Sequence, residues 1–340
     1  MCATGMCTPA GTTRNGNRHG RQNTVHRTDR PETATVRAKL GGCQDMARRI
    51  DVTGTGGVRL AAWEFGDPPK TDPAGSDPAR DVPDGSPGVL LLHGLMGRAS
   101  HWASTARWLS ARYRAVALDQ RGHGRSDKPP QGSFTRDAYV DDAEAALEQL
   151  GLAPVVLIGH AMGALTAWQL AAKRPDLVRG LIICDMRASA LGAASQREWD
   201  QWFKSWPLPF ATLADVRKWF GEDDPWVERP NPARGEFYAE VMAESPDGWR
   251  PVFDPEQMLR SRETWVYDAH WEELAQVRCP ALVVRGLDGE LGRAEAQEMV
   301  RVLPRGQYAE VADAGHLVHY DQPEAWRAAI EPFLDALSAD

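Results

Sequence analysis

The 340-residue sequence predicts an α/β protein: a mostly parallel sheet with helices on both faces, interrupted by one helical, tryptophan-rich insertion. Three observations carry that reading. Short apolar runs (Gly88–Leu92, Ala115–Leu118, Val155–Ile158, Leu181–Cys184, Ala281–Val284 and Tyr308–Val311) alternate with helical patterns such as Asp137–Leu150, Met162–Lys173 and Arg293–Leu303. Runs this short, apolar throughout and separated by helices, are the pattern of parallel strands buried on both faces. Ahead of them, Arg48–Val52 and Val58–Phe65 alternate around Gly54–Gly57 and read as a β-hairpin. The alternation then stops over residues 187–276, which show helical runs, no strand pattern and eight of the 13 tryptophans.

The remainder of the chain sets the boundaries. Residues 1–45 hold seven basic side chains (six Arg and Lys39) against Asp29, Glu32 and Asp45, with no apolar periodicity, and read as a disordered leader. Met46 opens the first strand-like segment and offers an alternative start. Asp67–Pro87, rich in Pro, Asp and Gly, reads as a flexible surface loop. This divides the chain into a leader (1–45), a core (46–186 and 277–340) and an inserted segment (187–276). A net charge of -8 disfavours nucleic acid and anionic membrane as partners. No apolar run approaches the roughly 20 residues that cross a bilayer. Cys2, Cys7 and Cys43 lie in the first 43 residues, and Cys184 and Cys279 lie in apolar runs. That spacing is neither a disulfide framework nor a zinc site and fits free thiols in a reducing, cytoplasmic compartment.

Four segments carry the chemistry. Leu91-Leu92-His93-Gly94-Leu95 runs a strand into a His-Gly turn, and Leu118–Ser126 reads D-x-R-G-x-G-x-S, most simply a glycine-rich turn with a buried Arg–Asp pair. Val155–Gly163 is a strand, a Gly159-His160-Ala161-Met162-Gly163 turn and a helix. Its flanking glycines permit the tight backbone that lifts a central side chain above a sheet. Ala312-Asp313-Ala314-Gly315-His316 follows the last strand-like run. His319 makes an H-x-x-H pair with His316, but no third ligand stands at useful spacing, so neither metal nor cofactor is expected.

In this order and at this spacing, the segments resemble the α/β-hydrolase fold superfamily, over about residues 47–337. The resemblance implies an eight-stranded, mostly parallel sheet, with residues 187–276 as a helical lid over the active site. It implies an oxyanion hole formed by the Leu95 and Met162 amides, His316 as the base, and a nucleophile at position 161. Alanine stands there instead, and a methyl group cannot attack a carbonyl. The relatives' usual acid position, after the penultimate strand, is Gly289, flanked by Asp288 and Glu290. The other known location follows the strand after the elbow helix, as in zearalenone-type lactone hydrolases and cofactor-free quinolone dioxygenases. There the chain has Asp185, the favoured acid, with Glu290 as the alternative.

The function these residues imply is a Ser-His-Asp hydrolase of a bulky apolar carboxylic ester or lactone. Its nucleophile is replaced by Ala161, as in an inactive, substrate-trapping form. Trp202, Trp206 and Trp219 are taken as lid residues facing substrate. Two alternatives stay open: an enzyme needing only the His316/Asp185 dyad (a cofactor-free oxygenase, lyase or decarboxylase) and a non-catalytic ligand-binding relative.

Overall fold

In a computed structural model, which describes residues 47–66, 86–130 and 133–339, the sheet and its helices follow the apolar runs. The leader and most of the Asp67–Pro87 loop lie outside the described residues. The chain runs through β1 (Ala47–Thr53), β2 (Arg59–Phe65), β3 (Gly88–Leu92), α1 (Ala103–Leu109), β4 (Arg114–Asp119), α2 (Arg136–Leu150), β5 (Val155–His160), α3 (Met162–Lys173) and β6 (Val178–Cys184). After the insertion it resumes with β9 (Ala281–Gly286), α9 (Arg293–Val302), β10 (Gly306–Val311), α10 (Val318–Asp321) and α11 (Pro323–Ala339).

The eight strands lie in the order β1-β2-β4-β3-β5-β6-β9-β10. The β1–β2 and β2–β4 pairs are antiparallel, and every later pair is parallel. All residues of β3, β5 and β9 are buried, whereas the edge strand β1 buries only Val52. Period-two alternation divides the central strands between two cores. Leu90, Leu92, Leu157, Leu181 and Ile183 face one core with residues of α2 and α3. Val89, Leu91, Val156, Ile158 and Ile182 face the other with residues of α1 and α11.

The inserted segment leaves the sheet after β6 and returns at β9. It contains α4 (Gly192–Ser205), α5 (Leu213–Lys218), α6 (Pro232–Ala239), β7 (Met242–Ser245), β8 (Gly248–Pro251), α7 (Pro255–Glu263) and α8 (Trp271–Ala275). The β7–β8 hairpin corrects the reading of this stretch as free of strands. Its eight residues include Glu244, Arg250 and Pro251, so no apolar run marks it. The available signal was the Pro246-Asp247-Gly248 turn. Gly248 has φ 133, and a Cβ there would press on the Phe210 carbonyl oxygen.

The D-x-R-G segment is a structural knot behind β4. Asp119 accepts from the Trp63 indole, the Ala99 amide and the Arg125 amide. The Arg partner of the predicted buried pair comes from the motif, but its carboxylate is Asp142 of α2. Arg121 Nε and Nη2 each lie 2.7 Å from an Asp142 oxygen, both side chains nearly inaccessible. Removing one partner leaves a buried charge uncompensated. Asp142→Ala should therefore lower unfolding stability by roughly 3–5 kcal/mol, read as a shifted midpoint in urea denaturation; an unchanged midpoint would contradict this account.

Candidate active site

The junction of β5 and α3 is a sharp bend at Ala161, which has φ 47 and ψ −122. A non-glycine residue held there is strained and persists only where its surroundings enforce it. The enforcement is close packing. A Cβ on Gly159 would overlap the backbone of Gly163 and Ala164, and one on Gly163 would overlap the carbonyl oxygens of Leu92 and His93. The two glycines thus let the first turn of α3 ride on β5 and the end of β3. The bend is tied down by the Ala161 amide, which donates to Cys184 O at 3.0 Å.

His316 reaches the site from the loop after β10. Its Nδ1 lies 2.8 Å from Asp185 Oδ2, and Glu290 Oε2 is 4.0 Å away. Of the two predicted acids, Asp185 makes the hydrogen bond and Glu290 contributes charge. Asp185 follows β6 with φ 44, and its Oδ2 also accepts the Glu290 amide at 2.9 Å. A Cβ built on Gly289 would lie 2.5 Å from Asp185 Oδ1. The carboxylate therefore occupies the space beside residue 289, the other position expected for an acid, and only a glycine there leaves it room.

Burial opposes protonation of His316, but the Glu290 charge and then the Asp185 hydrogen bond and charge outweigh it. They raise the imidazole to about 9. Neighbouring His160 goes the other way: burial, then repulsion from His316 and His319, holds it well below its ordinary value. His160 Nε2 donates to His316 O at 2.9 Å, anchoring the loop that carries His316 to the residue before the bend. His319 lies buried and stacks on Trp102 with ring centroids 3.8 Å apart. Among the described residues, no group of three or more His, Cys, Asp or Glu side chains is placed to hold a metal ion.

Leu95 and Met162 line the same cavity as Ala161, Asp185 and His316. Met162 is the first residue of α3, where an N–H has no acceptor within the helix. The Leu95 loop is fixed by two neutral imidazoles. His93 Nδ1–H donates to Gly94 O at 2.8 Å while its Nε2 accepts the Gln120 amide at 3.0 Å. His123, inside the glycine-rich motif, donates from Nδ1 to Arg121 O and accepts the Met96 amide at Nε2. Burial lowers both rings to about 3, so each keeps one donor and one acceptor.

The cavity measures about 920 Å³, near the upper end for small-molecule sites. Its aromatic wall corrects the assignment of Trp202, Trp206 and Trp219, none of which lines it. Trp202 donates its indole N–H to buried Asp224 and stacks on Trp226 at 4.4 Å. Trp206 and Trp219 pack edge-on against Phe220 at 4.8 and 4.6 Å. Trp202 and Trp206 lie buried inside the insertion with Trp219 half-buried against them, while Trp199, Trp226 and Trp265 line the cavity. At its mouth, Arg229 of the insertion pairs with Asp288 of the loop after β9 at 2.7 Å.

An alpha/beta hydrolase family model matches residues 89–329. The chain is 31% identical over 261 residues to 2-(acetamidomethylene)succinate hydrolase of Mesorhizobium japonicum, covering 74% of this chain and 88% of that protein. It is 26% identical over 269 residues to epoxide hydrolase 1 of Caenorhabditis elegans, 74% of this chain and 66% of that protein. A crystal structure of E-2-(acetamidomethylene)succinate hydrolase superposes with a TM-score of 0.70 at 25% identity, covering 85% of this chain and 99% of that one. No helix among the described residues is long and apolar enough to cross a membrane.

The His316 imidazole should titrate by NMR near pH 9 rather than at its ordinary 6.5. Because folding raises this pKa, the stabilisation is complete below about 6.5 and lost as pH rises through 9. Glu290→Gln lowers the midpoint by removing a charge. Gly289→Ala lowers it without touching one, by displacing the Asp185 carboxylate. A midpoint unmoved by Gly289→Ala would sink the packing argument.

Proposed function

This chain belongs to the alpha/beta hydrolase family, and on that premise we propose that it is a nucleophile-deficient form of a Ser-His-Asp hydrolase acting on a bulky carboxylic ester or lactone. One observation carries the reading: position 161 keeps a strained bend that an alanine does not need, facing the cavity that the His316–Asp185 pair also lines. Strain of this kind persists at sites where a side chain must be presented. The cavity volume and the three tryptophans on its wall support a large, largely apolar substrate.

With serine at position 161, the hydroxyl oxygen attacks the carbonyl carbon as His316 Nε2 takes its proton. Asp185 on Nδ1 fixes the tautomer and stabilises the imidazolium. The carbonyl oxygen, now negative, is bound by the Leu95 and Met162 amides, the second of them at the positive end of α3. The proton passes to the leaving alkoxide, and water, activated by His316, releases the acyl group. Residues 187–276 serve as the lid that excludes solvent. With alanine at 161 the same cavity binds the substrate and holds it unreacted.

A second reading has its own support, because a base held at about 9 needs no hydroxyl to act on an acidic C–H or O–H. Here the dyad alone deprotonates the substrate. The two readings part on one substitution. Ala161→Ser is expected to raise hydrolysis of p-nitrophenyl esters or macrolactones by roughly 10³-fold or more over the alanine form. Its kcat/KM should climb as pH rises through about 9, since only the neutral imidazole accepts the proton. His316→Ala in the serine background should return the rate to the alanine level. Turnover by the unsubstituted chain with no gain from serine would replace the hydrolase with the dyad enzyme, and binding without turnover in both forms would leave a non-catalytic relative.

A further inference from the structure

Arg262 is a buried cation on the cavity wall with no carboxylate in direct contact, Glu290 of the same cavity and Glu198 acting on it only at longer range. It lies in the last turn of α7, 1% exposed, with its Cζ 4.9 Å from the Trp199 ring and 5.4 Å from the Trp265 ring. Nη1 donates to Gln196 Oε1 at 2.7 Å and Nη2 to Ser195 Oγ at 2.6 Å, both neutral acceptors, while Nε has no partner. Among the described residues, no carboxylate forms an ion pair with it. The other arginines of the cavity differ: Arg187 pairs with Glu295, Arg229 with Asp288 and Arg234 with Asp224.

A guanidinium withdrawn from water is costly unless it is paired and its five donors are used. Two indole faces return part of that cost through cation–π attraction but accept no N–H. Burial lowers its pKa to about 10, which leaves it charged at neutral pH. The location is also informative. Ser261, the preceding residue, places its hydroxyl 3.9 Å from Met162 Sδ, so the turn carrying Arg262 passes over the residue that follows position 161.

We propose that Arg262 is a carboxylate-recognition residue, and that the ester or lactone taken by this cavity carries a carboxylate that docks against it between Trp199 and Trp265. The inference rests on the hydrolase reading for the reacting group, and it narrows the substrate from apolar to amphiphilic. A planar carboxylate matches the guanidinium fork and fits a slot walled by flat rings. The competing role is a structural pin in which Arg262 only ties α4 to α7 through Ser195 and Gln196.

The unsubstituted chain lacks a nucleophile and allows binding to be measured apart from turnover. The probes are monomethyl succinate, glutarate and adipate, each beside the methyl ester of its primary ω-amide, titrated by tryptophan fluorescence and calorimetry at pH 7. The best-fitting acid is expected to bind at least about tenfold tighter than its amide. Arg262→Met should abolish that preference while leaving amide binding within about twofold. Should the methionine variant not fold, Arg262→Lys, which keeps the charge but loses the fork, is expected to reduce the preference. Equal binding of acid and amide, no binding of any acid, a preference that survives in the methionine variant, or one undiminished in the lysine variant overturns the proposal. Hydrolysis by Ala161→Ser is read separately. An active serine variant without acid preference keeps the hydrolase and removes the Arg262 role; an acid preference with an inert serine variant does the reverse.

Discussion

The Asp185 carboxylate sits in the gap left by the missing side chain of Gly289, and the rest of the site is arranged around that placement. Its backbone amide donates to Val284 O in β9, and the carbonyl of the residue before it accepts the Ala161 amide at the bend. Its Oδ2 binds both the Glu290 amide and the His316 ring. The backbone of Cys184 and Asp185 thus joins the ends of β5, β6 and β9, and the Asp185 side chain ties them to the loop after β10. An acid reaching in from residue 289 would meet the same imidazole from a different strand.

The surrounding electrostatics follow from burial. His93, His101, His123, His160 and His319 are all pushed down, chiefly because a charged ring cannot be hydrated there. Neutral imidazoles are useful spacers: His93 and His123 hold the loop that presents Leu95, and His101 stacks on Phe237 at 3.7 Å. His316 alone among these neighbours has two carboxylates close enough to reverse the effect. Among these rings positive charge thus falls to His316, because at the others burial outweighs any nearby carboxylate.

The sheet, the bend at 161 and the place of His316 beside it were legible because each leaves a local trace in the chain. Buried parallel strands must be apolar on both faces, and the close approach of α3 to β3 demands glycine at 159 and 163. The choice between Asp185 and Glu290 was half legible. Glycine at 289 left room for a neighbouring side chain, but only a structure shows that the Asp185 carboxylate fills it and hydrogen-bonds His316. Tertiary contacts decided the remainder. The four-residue strands at Met242–Ser245 and Gly248–Pro251 pair without an apolar run. Trp202 and Trp199 lie one helical turn apart on α4, and the partner available to the Trp202 indole, Asp224, sent one ring inward and left the other on the cavity. Arg262 sits among polar residues in the sequence and betrays nothing until its neighbours are known.

The ion pair between Arg229 and Asp288 has a consequence of its own. It is one of several contacts between the insertion and the core, beside the Asn231–Asp321 and Tyr320–Glu240 hydrogen bonds, but here both side chains are more than half exposed. Exposed pairs of this kind contribute little to stability and weaken as ionic strength rises. Salt therefore weakens this one bridge across the cavity rim, while the part-buried Asn231–Asp321, Tyr320–Glu240 and Arg98–Glu240 hydrogen bonds go on holding the insertion to the core.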